Sequence, residues 1–442
     1  MKSLTVKLIL AAATALAAGA AGAAATEQQA RIVTPIDGRG GPGSYYAAGV
    51  RLLRGAAVKI TERRGGWVMA EVAPKQAAWI PAYALDSEQR SAKPGELFRS
   101  VSKSLLRSIS SLVDRRDRPK YLTRSAVSLG IRGFSTAYSA HRGMKEADVD
   151  PTLWESAAFD AAAYEAFVAA RFKGRDWEAF KRRLPLDPPA PVADPESEKL
   201  GAALTAFVSR QDGLLRNPAL ETYLSQIATL VAESSHAYDL PVRVYLLNSA
   251  EPKGFVSPNG IVFVSAGALA RMQSEAEFAF FVGHEIAHIA FQHGLKKIGR
   301  DEQRVREGDA FDEMEQDLKW DERTDDKYVR TNAELSEMAD QIHEYFAREN
   351  NDRDELEADY WGLVYAARAG YVPEAAESLL MRMVAEGGKS DSALLWNGVA
   401  RKQRLEGCRR GFAKITLERG ELRSFEAEFQ AAAGKKDLGP KK

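Results

Sequence analysis

The stretch FFVGHEIAHIAF, residues 280–291, places two histidines and a glutamate in an otherwise apolar segment of helical character. His284 and His288 are four residues apart, so on a helix they lie on one face, one turn apart. Two imidazoles in this position can bind one zinc ion, and Glu285 can then act as general base on a water that the zinc polarises. Burying these polar groups in an apolar helix is costly unless they are paired or bind a metal. The stretch therefore predicts a zinc-dependent hydrolase rather than a helix with two core histidines.

A catalytic zinc site needs a third protein ligand and one open position. Metzincins have a Gly three residues and a His six residues beyond the second His; here these positions hold Phe291 and Gly294, so that class is excluded. His293 follows His288 by five residues, which rotates it by about 140° around an unbroken helix. We interpret His293 as structural, or as support for the ligands, rather than as a direct ligand.

The sequence DELEAD, residues 354–359, offers the missing ligand. Glu355 and Asp359 again share one helix face, so Glu355 can complete the zinc site while Asp359 orients a metal-binding imidazole from its outer side. Glu357 is rotated by about 200° from Glu355 and is not expected to share that face. A solvated, charged helix is the alternative interpretation; the His pair favours the ligand interpretation.

These motifs resemble zinc peptidases of the gluzincin class, family M forty-eight, which includes the HtpX and CAAX-prenyl-protease types. Their soluble periplasmic members are the nearer match. The resemblance rests on HEIAH with the following HG, on ELEAD and on Gly362, and it extends to the segments 217–224, 254–265 and 369–376. It implies one zinc per chain, held by His284, His288 and Glu355, with Glu285 as base and Asp359 behind a ligand.

The same resemblance implies a substrate-binding strand with Ile261, Val262 and Phe263, on which an extended protein substrate would pair by strand addition. One departure is the late His-Pro pair that many soluble relatives carry. No His follows His343, and the corresponding stretch, 393–400, reads ALLWNGVA. If that His stabilises the oxyanion or gates the zinc in those relatives, another group must do so here, or activity is low.

The first 25 residues are predicted to be a secretory signal. Lys2 and Lys7 precede a run of small and apolar residues that ends before Thr26. No later stretch reaches the length of about 18 apolar residues that a membrane helix needs. We therefore expect a secreted protein, in the bacterial periplasm, with no transmembrane span after signal cleavage.

The composition of the 442 residues excludes little. Lys+Arg and Asp+Glu both number 61, so the net charge gives no reason to expect a nucleic-acid partner. Cys408 is the single cysteine, so an intramolecular disulfide is excluded.

Pattern changes along the chain predict a multidomain protein. Residues 26–90 contain short alternating runs and a Gly-Trp pair at 66–67, and they resemble a small all-β SH3-like barrel. Such a module could bind a cell-wall or peptide ligand. Alternatively, its Trp residues simply form the core of the barrel. Residues 91–196 form a helical and linker region, and 197–390 a mainly α (α+β), zincin-type domain with a short sheet. A C-terminal tail covers 391–442.

These patterns predict a zinc endopeptidase that acts on exported or envelope proteins, with a quality-control role. Its partners would be protein or peptide substrates. The acidic segment 301–350 is hypothesised to limit access to the cleft as a lid. Two alternatives stay open: an inactive or latent chaperone or scaffold of the cell envelope, and, more remotely, a cell-wall enzyme.

Overall fold

A computed structural model of the chain describes residues 28–73, 76–86, 160–186, 213–252, 254–257, 260–291, 293, 352–383, 401–415 and 417–433. The predicted signal, most of the segment 91–196, the acidic segment 301–350 and the stretch 393–400 lie outside the described residues. The hypothesis of a lid and the predicted domain boundaries therefore stay predictions.

The N-terminal part is a six-stranded antiparallel sheet. In chain order its strands are β1 (Gln28–Arg31), β2 (Ile36–Arg39), β3 (Ala48–Leu52), β4 (Ala57–Arg64), β5 (Trp67–Ala73) and β6 (Gln76–Pro81). In space the order is β1-β4-β5-β6-β2-β3. The pairings among these residues leave β1 and β3 at opposite edges, so closure into an SH3-like barrel is not confirmed.

The tryptophans of this sheet serve its packing. Trp67 and Trp79 are both buried. Trp67 also packs edge-on against Tyr238 of the C-terminal part, with ring centroids 5.9 Å apart. Because they are buried, these two rings expose little surface that a ligand could contact. Ligand binding by the N-terminal sheet therefore stays a prediction.

The C-terminal part is mainly helical, with one small sheet. Its strands are β7 (Arg243–Leu247), β8 (Gly254–Val256) and β9 (Ile261–Ser265). The helices of the described residues, counted from the one that follows the N-terminal sheet, are α1 (Ala161–Phe172), α2 (Trp177–Arg182), α3 (Pro218–Glu233), α4 (Ala266–Leu269), α5 (Glu275–Ala290), α6 (Asp352–Arg368), α7 (Ala375–Met383), α8 (Arg401–Phe412) and α9 (Glu426–Ala433). A small antiparallel sheet followed by a mainly helical domain is thus the architecture.

Local signals fix the ends of the helices that matter most. Ser274 precedes α5 and its side chain accepts a hydrogen bond from the backbone N–H of Glu277, which satisfies an otherwise unpaired donor of the first turn. Asn217 caps α3 in the same way. Gly370, with φ of +90°, ends the α6 segment in a conformation that L side chains rarely adopt.

The zinc-motif helix α5 and the later helix α6 cross in close contact at two glycines. A Cβ on Gly283 would lie 2.9 Å from the carbonyl oxygen of Gly362, and a Cβ on Gly362 would lie 2.8 Å from the backbone nitrogen of His284. Only glycine allows the two backbones this approach. The crossing brings the acidic face of α6 onto the histidine face of α5.

The last helices pack onto the domain. Cys408 of α8 and Phe429 of α9 are fully buried in the large core that contains α5 and α6. Among the described residues, none of the helices combines the length and the apolar composition that a membrane crossing requires.

Candidate metal centre

Three side chains from α5 and α6 converge on one point. His284 and His288 come from α5, and Glu355 comes from the first turn of α6. The two Nε2 atoms are 3.1 Å apart. Each lies 3.5 Å from a carboxylate oxygen of Glu355. The structure thus brings together the three residues that the sequence predicts as ligands.

These spacings fit a metal ion with tetrahedral coordination. Zinc binds His and carboxylate ligands at about 2.0–2.2 Å, which places neighbouring ligand atoms about 3.4 Å apart in a tetrahedron. The three donor separations of 3.1–3.5 Å surround that value. Two imidazole nitrogens and one carboxylate are also a donor set that zinc uses in catalytic sites. The residues present therefore fit the ion.

A buried ion pair holds the outer side of His284. Oδ1 of Asp359 lies 3.0 Å from Nδ1 of His284, while Arg404 of α8 donates two hydrogen bonds to the same carboxylate, one of them of 2.7 Å from Nε. All three side chains are at most 1% exposed. Burial alone would raise the pKa of Asp359, but Arg404 holds it below its usual range. An ionised Asp359 keeps the proton of His284 on Nδ1 and leaves Nε2 free to bind a metal.

Arg404 has no counterpart among the residues that the sequence predicts for the site. It lies 45 residues after Asp359 in the chain, on a helix inside the predicted C-terminal tail. The sequence does not show that Arg404 is buried, because α8 contains several other charged residues from which nothing local distinguishes it. No spacing rule connects the two positions.

His293 lies against the second ligand. Its Nδ1 is 3.0 Å from Nδ1 of His288, and its Nε2 is 3.5 Å from Oε2 of Glu357. The side chain is fully buried. His293 thus contacts the outer nitrogen of a predicted ligand. Glu357, predicted to lie away from the face of Glu355, reaches this neighbouring imidazole instead.

Glu285 is buried beside the three converging side chains. Burial raises the pKa of its carboxyl to about 7, with Glu355 adding to the effect and His284 opposing it. Within the described residues, its Oε1 accepts no hydrogen bond. A carboxyl with a pKa near neutrality can both take up and release a proton at physiological pH.

The predicted substrate strand occupies an unexpected position. β9, which contains Ile261, Val262 and Phe263, is the central strand of its sheet. It pairs in parallel with β7 and antiparallel with β8, and all of its residues are buried. Its backbone groups are used on both sides, which argues against strand addition at these residues. Strand order is not encoded in the apolar run of a single strand, so the sequence could identify the strand but not its neighbours.

The comparisons with known proteins agree with this site. Residues 218–405 match the model of peptidase family M48. The mitochondrial metalloendopeptidase OMA1 of Schizosaccharomyces pombe is 27% identical over 177 residues, 39% of this chain and 46% of the relative. The protein of that name from Arabidopsis thaliana is 25% identical over 181 residues, 41% of this chain and 33% of the relative. A Bos taurus OMA1 metalloendopeptidase is 37% identical over 54 residues, 12% of this chain and 10% of the relative. The chain thus matches less than half the length of each relative.

The names of these relatives correct one prediction. All three are mitochondrial proteins, which contradicts the prediction of a secreted protein of the bacterial periplasm. That prediction rests on the cationic, alanine-rich leader. Positive charge and a lack of acidic residues are shared by secretory signals and organelle transit peptides, so such a leader discriminates poorly between compartments. The periplasmic location is therefore wrong, and a match to the HtpX type is not confirmed.

The metal-site geometry lies inside the matched segment. The three converging donors, Glu285 and the Asp359–Arg404 pair all fall within residues 218–405. The comparisons and the geometry together support a domain similar to the metallopeptidases of family M48 in residues 218–405 of this chain.

Proposed function

We propose that this chain is a zinc-dependent endopeptidase in which Glu285 is the general base. The observation that carries the proposal is the convergence of His284, His288 and Glu355 at separations suited to one tetrahedral ion. When bound there, zinc would polarise the scissile carbonyl and increase the acidity of water. One ion per chain is proposed.

Glu285 would move the protons. Its buried carboxyl, with a pKa raised to about 7, can accept a proton from the attacking water and later deliver it to the leaving amine. Asp359, held by Arg404, would keep His284 in the tautomer that binds a metal through Nε2. The lack of a hydrogen bond to Oε1 of Glu285 from the described residues leaves that atom able to meet a water or a substrate.

An extended substrate would bind at the edge of the small sheet. Among the described residues, β8 is an edge strand of the order β7-β9-β8, and it lies next to α5, where Gly254 packs on Phe281. Edge strands present backbone N–H and C=O groups that can pair with another chain. Strand addition requires an unfolded segment, so we propose unfolded or damaged proteins as the substrate class. This is consistent with a quality-control role.

The main alternative is a latent or inactive scaffold with the same metal site. The intact Glu285 speaks against it, because a structural zinc site needs no general base.

Cleavage and metal content, measured together, test the proposal. The parent chain and Glu285→Gln are purified, zinc is measured by mass spectrometry, and cleavage of unfolded casein is followed by gel. We expect about one zinc in both proteins and a loss of at least about 100-fold in cleavage by Glu285→Gln, the lower range of a general-base contribution. Zinc in both proteins without cleavage by either would support the scaffold. Equal cleavage by both would exclude Glu285 as the base.

A further inference from the structure

The Nδ1 atoms of the two predicted histidine ligands, which face away from the proposed metal position, contact different groups. The outer nitrogen of His284 faces Asp359, a carboxylate that Arg404 neutralises. The outer nitrogen of His288 faces a second imidazole instead, that of His293, at 3.0 Å. Beyond His293 lies the carboxylate of Glu357, 3.5 Å from Nε2.

Proton positions along this row follow from the proposed metal on His288. A metal on Nε2 of His288 leaves its proton on Nδ1, so Nδ1–H must be the donor toward His293. Nδ1 of His293 must then be the acceptor, and a neutral His293 carries its proton on Nε2. That nitrogen lies 3.5 Å from Oε2 of Glu357, a separation at which the carboxylate stabilises this tautomer electrostatically without a hydrogen bond. Each ring nitrogen of His288 and His293 is thus assigned one role, as metal ligand, proton donor or proton acceptor, and that role is compatible with the group it faces.

We propose that His293 and Glu357 form a relay that fixes the tautomer and ring orientation of His288, as Asp359 does for His284. Both are positioning residues, since they act through the imidazole of His288. The inference rests on the proposed function, because the proton order follows from a metal on His288.

The position of His293 in the chain explains how it reaches His288. On an unbroken helix, a residue five positions further is rotated by about 140°, and it would face away. The helix α5 ends at Ala290, however, and Phe291 leaves the helical conformation. His293 follows that end, so helical phase no longer sets its direction.

A second metal ion is the competing explanation for the same residues. Single donor atoms of His293, Asp354 and Glu357 lie within 4.8 Å of one another. A metal on Nε2 of His293 would remove the proton from that nitrogen while Nδ1 still accepts from His288. His293 would then carry no proton at all, which is an anionic imidazolate and unfavourable without two metals sharing it. Proton accounting therefore favours the relay and one metal.

Variants of the full chain test the relay through metal binding. Zinc affinity is measured by competition with a chelator, and the visible spectrum is recorded after cobalt replaces zinc. The variants are His293→Ala, His293→Gln, Glu357→Gln and, as the matched control, Glu406→Gln, which changes an exposed glutamate of α8. The thermal midpoint of each metal-free protein shows whether the variant folds.

The relay predicts a graded result. His293→Ala weakens zinc binding by about 10- to 100-fold, the range found when a group behind a ligand is lost. His293→Gln recovers most of this affinity, because its carbonyl can accept from His288, and Glu357→Gln gives a smaller loss. Both His293→Ala and Glu357→Gln alter the cobalt spectrum, while Glu406→Gln changes neither quantity.

Other outcomes overturn it in distinguishable ways. Unchanged affinity and an unchanged cobalt spectrum in both His293→Ala and Glu357→Gln would exclude the relay while leaving the proposed function intact. Two zinc ions per parent chain, one of them lost in Glu357→Gln, would establish the second metal site instead. A parent chain that binds no zinc would overturn the proposed function and this inference with it.

Discussion

At the scale of single residues, the site depends on charges that are buried in pairs. Asp359 and Arg404 are each 1% exposed, and their mutual hydrogen bonds compensate the loss of hydration. Such a pair adds little net stability compared with apolar side chains. Removing one partner, however, leaves an uncompensated charge buried in the interior. The geometry of the candidate metal centre therefore depends on an arginine that acts through Asp359.

Arg404→Leu is predicted to be strongly destabilising. It leaves the Asp359 carboxylate buried without its cation, at a cost of about 3–5 kcal/mol in the free energy of unfolding. Because Asp359 orients His284, zinc affinity falls as well, by about tenfold or more. Urea denaturation and chelator competition measure the two effects.

Arg409→Leu on the same helix is the matched control. Arg409 pairs with Glu377, but its side chain is 61% exposed. Exposed pairs contribute little to stability, so this variant keeps nearly the parent stability and zinc affinity. Similar losses from both arginines would show that the burial of Arg404 does not matter.

The sequence can predict the residues of the site only where one helix holds two of them. Helical geometry puts His284 and His288 on one face, and Glu355 and Asp359 on another, whatever the rest of the chain does. The contacts of Arg404 and Glu357 depend on how separate helices pack. No periodicity within one segment contains that information, which is why these contacts are not predictable from the sequence.

At the scale of elements, the site exists because two helices approach closely. Gly283 and Gly362 face each other at the crossing of α5 and α6. The crossing sets the distance between the histidines on α5 and Glu355, which lies two turns before Gly362 on α6. Small changes at the crossing should therefore displace the predicted metal ligands relative to one another.

Gly362→Ala is predicted to lower both stability and zinc affinity. Alanine favours a helix over glycine by about 1 kcal/mol, but its Cβ would lie 2.8 Å from the backbone nitrogen of His284. A backbone atom cannot rotate away, and overpacking of this kind costs about 1–3 kcal/mol. We expect the clash to outweigh the propensity, with a lower thermal midpoint and weaker zinc binding.

Gly420→Ala is the control for this substitution. Within the part of the chain that the structure describes, a Cβ on Gly420 would meet no heavy atom within 4 Å beyond its chain neighbours. Its thermal midpoint should equal that of the parent. A Gly362→Ala variant as stable as Gly420→Ala, with parent zinc affinity, would contradict the role of the crossing.

The elements themselves are largely predictable, and their arrangement is not. Capping signals at Asn217 and Ser274 and the breaks at Gly370 and Pro373 define helix ends in the sequence as in the structure. The apolar run over 261–264 likewise predicts a strand, but its central place between β7 and β8 depends on strand order. When two paired strands lie far apart in the chain, no local pattern in the sequence of either strand identifies its partner.

At the scale of the whole molecule, the N-terminal sheet contacts the mainly helical C-terminal part through buried polar groups. Glu233 at the end of α3 accepts hydrogen bonds from the backbone N–H of Ser44 and the hydroxyl of Tyr164. The hydroxyl of Tyr83 donates to the buried carboxylate of Asp239. Separate patterns in the sequence distinguish residues 26–90 from residues 197–390, but they cannot reveal this shared interface.

Glu233 is predicted to make stability depend on pH. Burial raises the pKa of its carboxyl to about 8, although Lys181 opposes the shift. The folded state then holds a proton that the unfolded state loses near pH 4.5. This contribution to stability is complete below about pH 4.5 and declines as the pH rises toward 8, by at most about 1.4 kcal/mol per pH unit.

Glu233→Gln removes this titration while keeping a side chain of the same shape. The free energy of unfolding, measured in urea at pH 5, 6.5 and 8, should decline less with pH in the variant than in the parent. The exposed-site variant Glu406→Gln should follow the parent. Parallel curves for Glu233→Gln and the parent would show that Glu233 is ionised in the folded protein throughout this range.

The most direct test of the central claim is the zinc content of Glu355→Ala compared with Glu406→Ala. Glu355 is the predicted ligand that comes from a different helix, so its loss leaves two histidines of one helix, which bind zinc weakly. We predict about one zinc per chain in the parent and in Glu406→Ala, and almost none in Glu355→Ala after dialysis against a weak chelator. A full equivalent of zinc retained by Glu355→Ala would contradict the proposed metal centre.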